Sequence, residues 1–217
     1  PLPIRGMNAL GRFVERVGVQ PISLDADSML SAACKETGLS DFGPDSFRPG
    51  LSKLVESIEA GGALTLFGRF FARKQLVELL VHRLQLADTR KRRPEIADEV
   101  IRRPLFILGL PRTGTTLLYG LLAEDPANRA PLSWEIDQPY PPAESATYLT
   151  DPRIGSTQAR FDQVDKLAPG FQTIHPVGAL MPQECIVPTA SEFMSIRFQM
   201  VFDIETYDEW LLDQDMH

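Results

Sequence analysis

The sequence predicts an α/β protein in two parts: a helical region over residues 1–103, then the N-terminal part of an α/β core over residues 104–217. Three observations carry this reading. Apolar residues recur at helical spacing through most of the first part. A continuous apolar run, Leu105-Phe106-Ile107-Leu108, then breaks that spacing, as a strand buried on both faces does. Directly after a glycine-bounded loop, leucines at helical spacing resume, giving strand, tight loop, helix.

Composition bounds the function classes. With 43% hydrophobic and 24% charged residues, the 217-residue chain has the make-up of a soluble globular protein. No apolar run reaches the roughly 18 residues of a transmembrane helix. The opening "PLPIRGMNAL" lacks the apolar h-region of a secretory signal. It also lacks an initiator Met, so upstream residues are expected to be missing. Cys34 and Cys185 show no C-x-x-C spacing, which argues against a disulfide scaffold or structural zinc and for a cytoplasmic setting. A net charge of −7 is the opposite of a nucleic-acid footprint. A few local donors can still build an anion site within such a field.

Along the chain, "SLDADSMLSAACKETG" offers Asp25 or Asp27 as N-cap and Gly38 as C-terminal stop. "RPGLSKLVESIEAGG" places Leu51, Leu54, Val55 and Ile58 on one helical face, ended by Gly61 and Gly62. In "FFARKQLVELLVHRLQLADTRKRRP" the stripe is Leu76, Leu79, Leu80 and Leu84, with His82 just off it. Arg90 to Arg93 complement that helix's C-terminal dipole as a solvated end. A further helix is expected in "PEIADEVIRR". After the strand–loop–helix, whose leucines are Leu117, Leu118, Leu121 and Leu122, Asp125-Pro126 marks an exit. Proline-rich turns follow, then a helix starting near Asp151-Pro152, and a Phe- and Met-rich stretch over 193–202 that reads as a core helix. Only one parallel-type strand is evident, whereas a doubly wound sheet needs several. The C-terminal part of the fold is therefore expected to be absent.

The loop, "FILGLPRTGTTLL", reads Gly109-x-x-x-x-Gly114-Thr115-Thr116, the spacing of a phosphate-binding loop without its lysine. Successive backbone N–H groups, with a helix N-terminus behind them, make a concave anion cradle. Gly114 allows close backbone approach, Thr113, Thr115 and Thr116 add hydroxyls, and Arg112, after Pro111, adds a planar fork for phosphate-like oxygens. Nothing is arranged for the β/γ-phosphates of a triphosphate. A 5′-phosphate bearing one further group suits this donor set better.

"GLPRTGTTLLYGLLAEDP" resembles the 5′-phosphosulfate loop of sulfotransferases, P-[KR]-[ST]-G-T-T. The similarity continues through "RAPLSWE", "PYPP", "DPRIG" and "HPVGALMPQEC", and the leader "TGLSDFG…LTLFGR…RRPEI" looks like bacterial members. The resemblance implies a P-loop-like, three-layer parallel-sheet core, here partial. It also implies transfer of a sulfuryl group from 3′-phosphoadenosine 5′-phosphosulfate (PAPS) to a hydroxyl or amine of a small-molecule acceptor, without a metal. Pro111, Arg112, Thr113, Gly114, Thr115 and Thr116 match the donor-binding loop, with Arg112 neutralising the 5′-phosphate and the bridging oxygen. Glu135 in "LSWE" matches the general base of tyrosylprotein sulfotransferases; the other account of it is a loop carboxylate that caps or pairs with a neighbour such as Arg129. His175 is the second candidate base, and Glu184 a pocket candidate. The family's downstream R-D-P-type and K-x-x-x-H-like segments do not occur before His217; "DPRIG" has the wrong order and comes too early. Two other readings stay open: a nucleotide kinase or triphosphatase with a degenerate loop, and a non-catalytic phosphonucleotide-binding module.

Overall fold

Residues 2–16, 20–61, 64–110 and 113–215 are described by the computed structural model. Helix α1 (Leu2–Arg16) is one that the sequence reading does not assign, although Ile4, Met7 and Gly11 have helical spacing. Its Asn8 side chain accepts the Phe67 N–H at 3.1 Å, docking it on the start of the long helix that opens at Leu66. Helix α2 (Ala26–Thr37) begins after Asp25 and ends at Gly38, whose left-handed backbone (φ 70°) returns its N–H to the Cys34 carbonyl. Helix α3 (Phe47–Ala60) buries Leu51, Leu54 and Ile58 and closes through the Gly61 N–H on Ser57. Gly62 lies outside the described residues.

Helix α4 (Leu66–Arg92) is capped by the Thr65 hydroxyl, which accepts from the Gly68 N–H at 3.2 Å. Leu76, Leu80 and Leu84 are fully buried, as their spacing requires; Leu79 and His82 are half-buried. Its basic end is exposed, Lys91 pairing with Asp41 and Arg92 with Asp88. Buried Arg83 donates to Glu192 and to the Pro44 carbonyl, both at 2.6 Å, and lies 4.3 Å over the Phe47 ring.

Packing groups the chain into two compact units, Pro1–Arg93 with Cys185–His217, and Pro94–Glu184. This grouping differs from the division of the sequence at 103/104. In the first unit, helices α9 (Ile186–Thr189) and α10 (Glu205–Leu212) follow a long excursion of the chain. Phe193, Phe198, Tyr207 and Leu211 then join Phe47, Leu51 and Leu54 in one core. The Tyr207 hydroxyl donates to the Phe193 carbonyl at 2.9 Å and accepts the Ser195 N–H at 3.1 Å. The core helix expected over 193–202 does not form. Two 3₁₀ turns, Ala190–Glu192 and Phe198–Met200, flank a left-handed Phe193 (φ 54°). Polar groups divert the backbone: the Ser195 hydroxyl donates to the Ile186 carbonyl and accepts the Arg197 N–H, competing with helical bonding.

The second unit departs further from expectation. "PEIADEVIRR" yields one 3₁₀ turn, Pro94–Asp98, and Val100 and Ile101 are exposed. Short helices need a packed apolar face, and here none is covered. The run 104–110 belongs to neither helix nor strand, with Phe106 73% and Leu108 91% exposed. A parallel strand exists only beside a neighbour that pairs its N–H and C=O groups. Among the described residues the one β-pairing is an isolated antiparallel bridge, Leu132 to Pro182. Helices α5 (Thr115–Ala123), α6 (Ser133–Asp137), α7 (Arg153–Leu167) and α8 (Phe171–Ile174) complete this unit.

Candidate functional site

Between the apolar run and α5 the chain folds back on itself. A Cβ placed on Gly109 would lie 2.7 Å from the Thr115 methyl and 3.0 Å from the Thr113 hydroxyl, so glycine is required for the close approach. The Thr113 hydroxyl donates to the Leu110 carbonyl at 2.6 Å. Gly114 caps α5 in the left-handed region (φ 90°), where residues with a Cβ are strained. The first α5 bond runs from the Leu118 N–H to the Gly114 carbonyl at 3.0 Å. The N–H groups of Thr115, Thr116 and Leu117 precede it, at the positive end of the helix dipole. Gly114 and Thr116 are exposed, Thr115 half-buried. Pro111 and Arg112, assigned to this loop from the sequence, lie outside the described residues.

Glu135 sits in the first turn of α6, 12% exposed along its side chain. Its Oε1 accepts the Leu132 N–H at 2.7 Å and the Tyr148 hydroxyl, and its Oε2 accepts from Arg129 at 2.7 Å. It thus both caps a helix and pairs with Arg129. Burial, and then the bond to Glu135, push the Tyr148 hydroxyl up to about 12. Arg129 itself is mostly exposed, 5.7 Å from the Tyr148 ring.

A rigid support lies behind this carboxylate. Trp134 is fully buried, its ring 5.4 Å from Tyr148 on one contact and 4.8 Å from the Arg153 guanidinium on another. Arg153 donates to the Gln138 and Pro141 carbonyls at 2.8 and 2.5 Å and grips both oxygens of Asp151 at 2.8 Å. Those bonds hold the Asp151 carboxyl down at about 2. "DPR" is therefore a structural clasp. The strip 179–183 runs beside α6: the Ser133 and Trp134 N–H groups donate to Met181 and Ala179 at 2.9 and 3.0 Å. Tyr119 of α5 reaches the same strip, donating to the Gln183 carbonyl at 3.3 Å.

His175 terminates α8, its N–H on the Phe171 carbonyl and its ring edge-on to Phe171 at 6.0 Å. It is not among the partners of Glu135. Glu184 is half-buried, its N–H bonded to the Gln183 side chain. Tyr148 is absent from the sequence reading, because nothing in a proline-rich turn signals a contact 13 residues back with Glu135. No group of three or more potential ligand side chains suited to a metal ion occurs among the described residues.

A glycine-tight loop leads into a helix N-terminus, in one unit with a half-buried carboxylate that accepts three hydrogen bonds. The chain belongs to the sulfotransferase family, whose sequence model matches residues 104–217. Its fold is similar to that of sulfotransferase STF1 from Mycobacterium tuberculosis H37Rv (TM-score 0.77, 32% identity, 88% of this chain and 53% of that one). It is equally similar to sulfotransferase STF9 from Mycobacterium avium (TM-score 0.78, 32% identity, 91% and 51%). The chain thus spans about half the length of these proteins. No curated protein sequence matches it.

Proposed function

We propose that the chain carries the donor loop and acceptor-side carboxylate of a PAPS-dependent sulfotransferase, which transfers a sulfuryl group to a hydroxyl or amine of a small molecule. The observation that carries this reading is the loop: Gly109 leaves no room for a Cβ, and Gly114 turns the chain so that the first α5 N–H groups are left for an anion. These features suit a 5′-phosphosulfate. PAPS, when bound, supplies the activated sulfuryl group. The backbone of Thr113 to Thr116 and the Thr115 and Thr116 hydroxyls would hold the phosphate end, with Arg112 neutralising it. Glu135 is the acceptor-side base and His175 the second candidate. Catalysis on this plan is positioning plus stabilisation of charge at the leaving phosphate, where one donor is worth about 10²–10³ in rate.

In the same reading, 104–217 is the beginning of a P-loop-like, three-layer core and 1–103 its helical leader. The run Leu105–Leu110 becomes a strand once parallel neighbours pair with it. The free cysteines, Cys34 and Cys185, suit a reducing cytoplasm. The experiment is a metal-free calorimetric titration with adenosine 3′,5′-bisphosphate, compared with ATP–Mg²⁺. Binding of the bisphosphate alone is expected. Preference for ATP–Mg²⁺ would make the loop that of a kinase or triphosphatase. Binding without turnover would leave a phosphonucleotide-binding module.

A further inference from the structure

Glu135 is held unequally. Two donors converge on Oε1: the Leu132 N–H, part of the backbone, and the Tyr148 hydroxyl, whose ring is fixed against buried Trp134. Neither can leave without disturbing α6 or that stack. The described bond to Oε2 comes from Arg129, a long side chain that is 69% exposed. The guanidinium is the solvent-facing partner of this pair, so Arg129 regains water when it turns away, whereas the Leu132 N–H and the Tyr148 hydroxyl are held in place. The Arg153 charge also acts on this carboxylate from a distance, but its guanidinium is committed to Asp151 and two carbonyls.

We propose that Tyr148 is a positioning residue that fixes Glu135 through Oε1, and that Arg129 is a displaceable cover over Oε2, the oxygen that receives the acceptor's proton. This rests on Glu135 being the base. In the step, the acceptor oxygen or nitrogen bonds to sulfur, and its proton passes to Oε2. The bond from sulfur to the 5′-phosphate oxygen breaks, and its electron pair leaves on that phosphate. Arg129 must swing off Oε2 first. Tyr148 keeps the second oxygen from rotating into its place.

The test uses the full chain with PAPS and phenol, an acceptor that keeps its proton near neutral pH, measuring kcat and KM separately for E135Q, Y148F, R129Q and R129K. Alongside runs a readout that needs no turnover, the ζ-¹³C resonance of Tyr148 in tyrosine-labelled protein. Y148F is expected to lower kcat on the order of 10², with KM for the donor little changed, as misplacement of a reacting group does. R129Q is expected to raise kcat about twofold to fivefold by removing an ion pair, exposed on its arginine side, that must break. R129K should restore the wild-type rate. The Tyr148 resonance should move further in E135Q, which alters its hydrogen-bond acceptor, than in R129Q, which removes a charge 5.7 Å from the ring. An unmoved resonance in E135Q, or a full-rate Y148F, overturns the positioning role. R129Q as slow as E135Q overturns the cover, since Arg129 would then act in the chemistry. If E135Q turns over normally, Glu135 is not the base. If neither PAPS nor adenosine 3′,5′-bisphosphate binds the wild type in the calorimetric titration, the sulfotransferase reading itself fails. Those two results differ from every other one.

Discussion

Gly109→Ala tests the donor loop through space alone, because Gly109 does not lie in the left-handed region and alanine can adopt its backbone. The new methyl would sit 2.7 Å from the Thr115 Cγ2 atom, which must retreat by about 0.7 Å to reach the 3.4 Å where ordinary contact begins. The Thr113 hydroxyl, at 3.0 Å, blocks the other side and is tied to the Leu110 carbonyl. Thr115 must therefore leave its rotamer, at a cost of about 0.5–1.5 kcal/mol. If the bound state needs the original rotamer, affinity for adenosine 3′,5′-bisphosphate falls about twofold to twelvefold. Calorimetry reads this directly. The same strain is carried by the unliganded fold, so the thermal midpoint should fall by about 1–6 °C and no further. Thr115→Ser removes the offending methyl and keeps the hydroxyl, so G109A/T115S should regain the affinity of T115S. Wild-type affinity in G109A, or no recovery in the double variant, would refute the idea that this close approach shapes the anion site.

Three further outcomes are expected. Arg112→Ala should weaken bisphosphate binding sharply while the unfolding midpoint holds; an unchanged Kd would remove Arg112 from the loop's chemistry. Tyr207→Phe strips a buried hydroxyl from the Ser195 N–H and the Phe193 carbonyl and should cost about 1–3 kcal/mol in urea unfolding, with no effect on ligand affinity. Because Asp151 titrates at about 2 in the folded chain against an ordinary 3.8, the stability it contributes is complete above about pH 4 and drains away as pH falls towards 2. Midpoints measured across that window should show a fall that Asp151→Asn flattens.

The sequence was most informative where one element decides its own structure. The Leu76, Leu80 and Leu84 stripe buries as its period demands, and Gly38 stops α2 as a left-handed residue can. It failed where structure depends on a partner far along the chain. "LFILGL" has a strand's composition, but a strand is a relation between two segments. Phe193 and Phe198 are core residues, as their character suggests, yet Ser195 breaks the helix that composition favours. At the site, the loop was legible because its spacing is local. The Arg129 pairing of Glu135 could be read from six residues' separation on one turn-rich stretch. Tyr148 could not, because only the folded chain places its hydroxyl on the same carboxylate.

The return of Cys185–His217 into the helical unit has a consequence for biosynthesis. Ser57 and Thr206 share a hydrogen bond at 2.7 Å across 149 positions, and Phe47 stands 6.1 Å from Phe193. A ribosome releases the four N-terminal helices long before it makes these partners. Until then α1 and α2 can pack on α4, but the part of α3 that Phe193 and α10 cover in the finished unit stands open while residues 94–184 are made. Chain growth is on the order of 5–20 residues per second, so this half-finished core waits for several seconds, a natural client for a holdase chaperone.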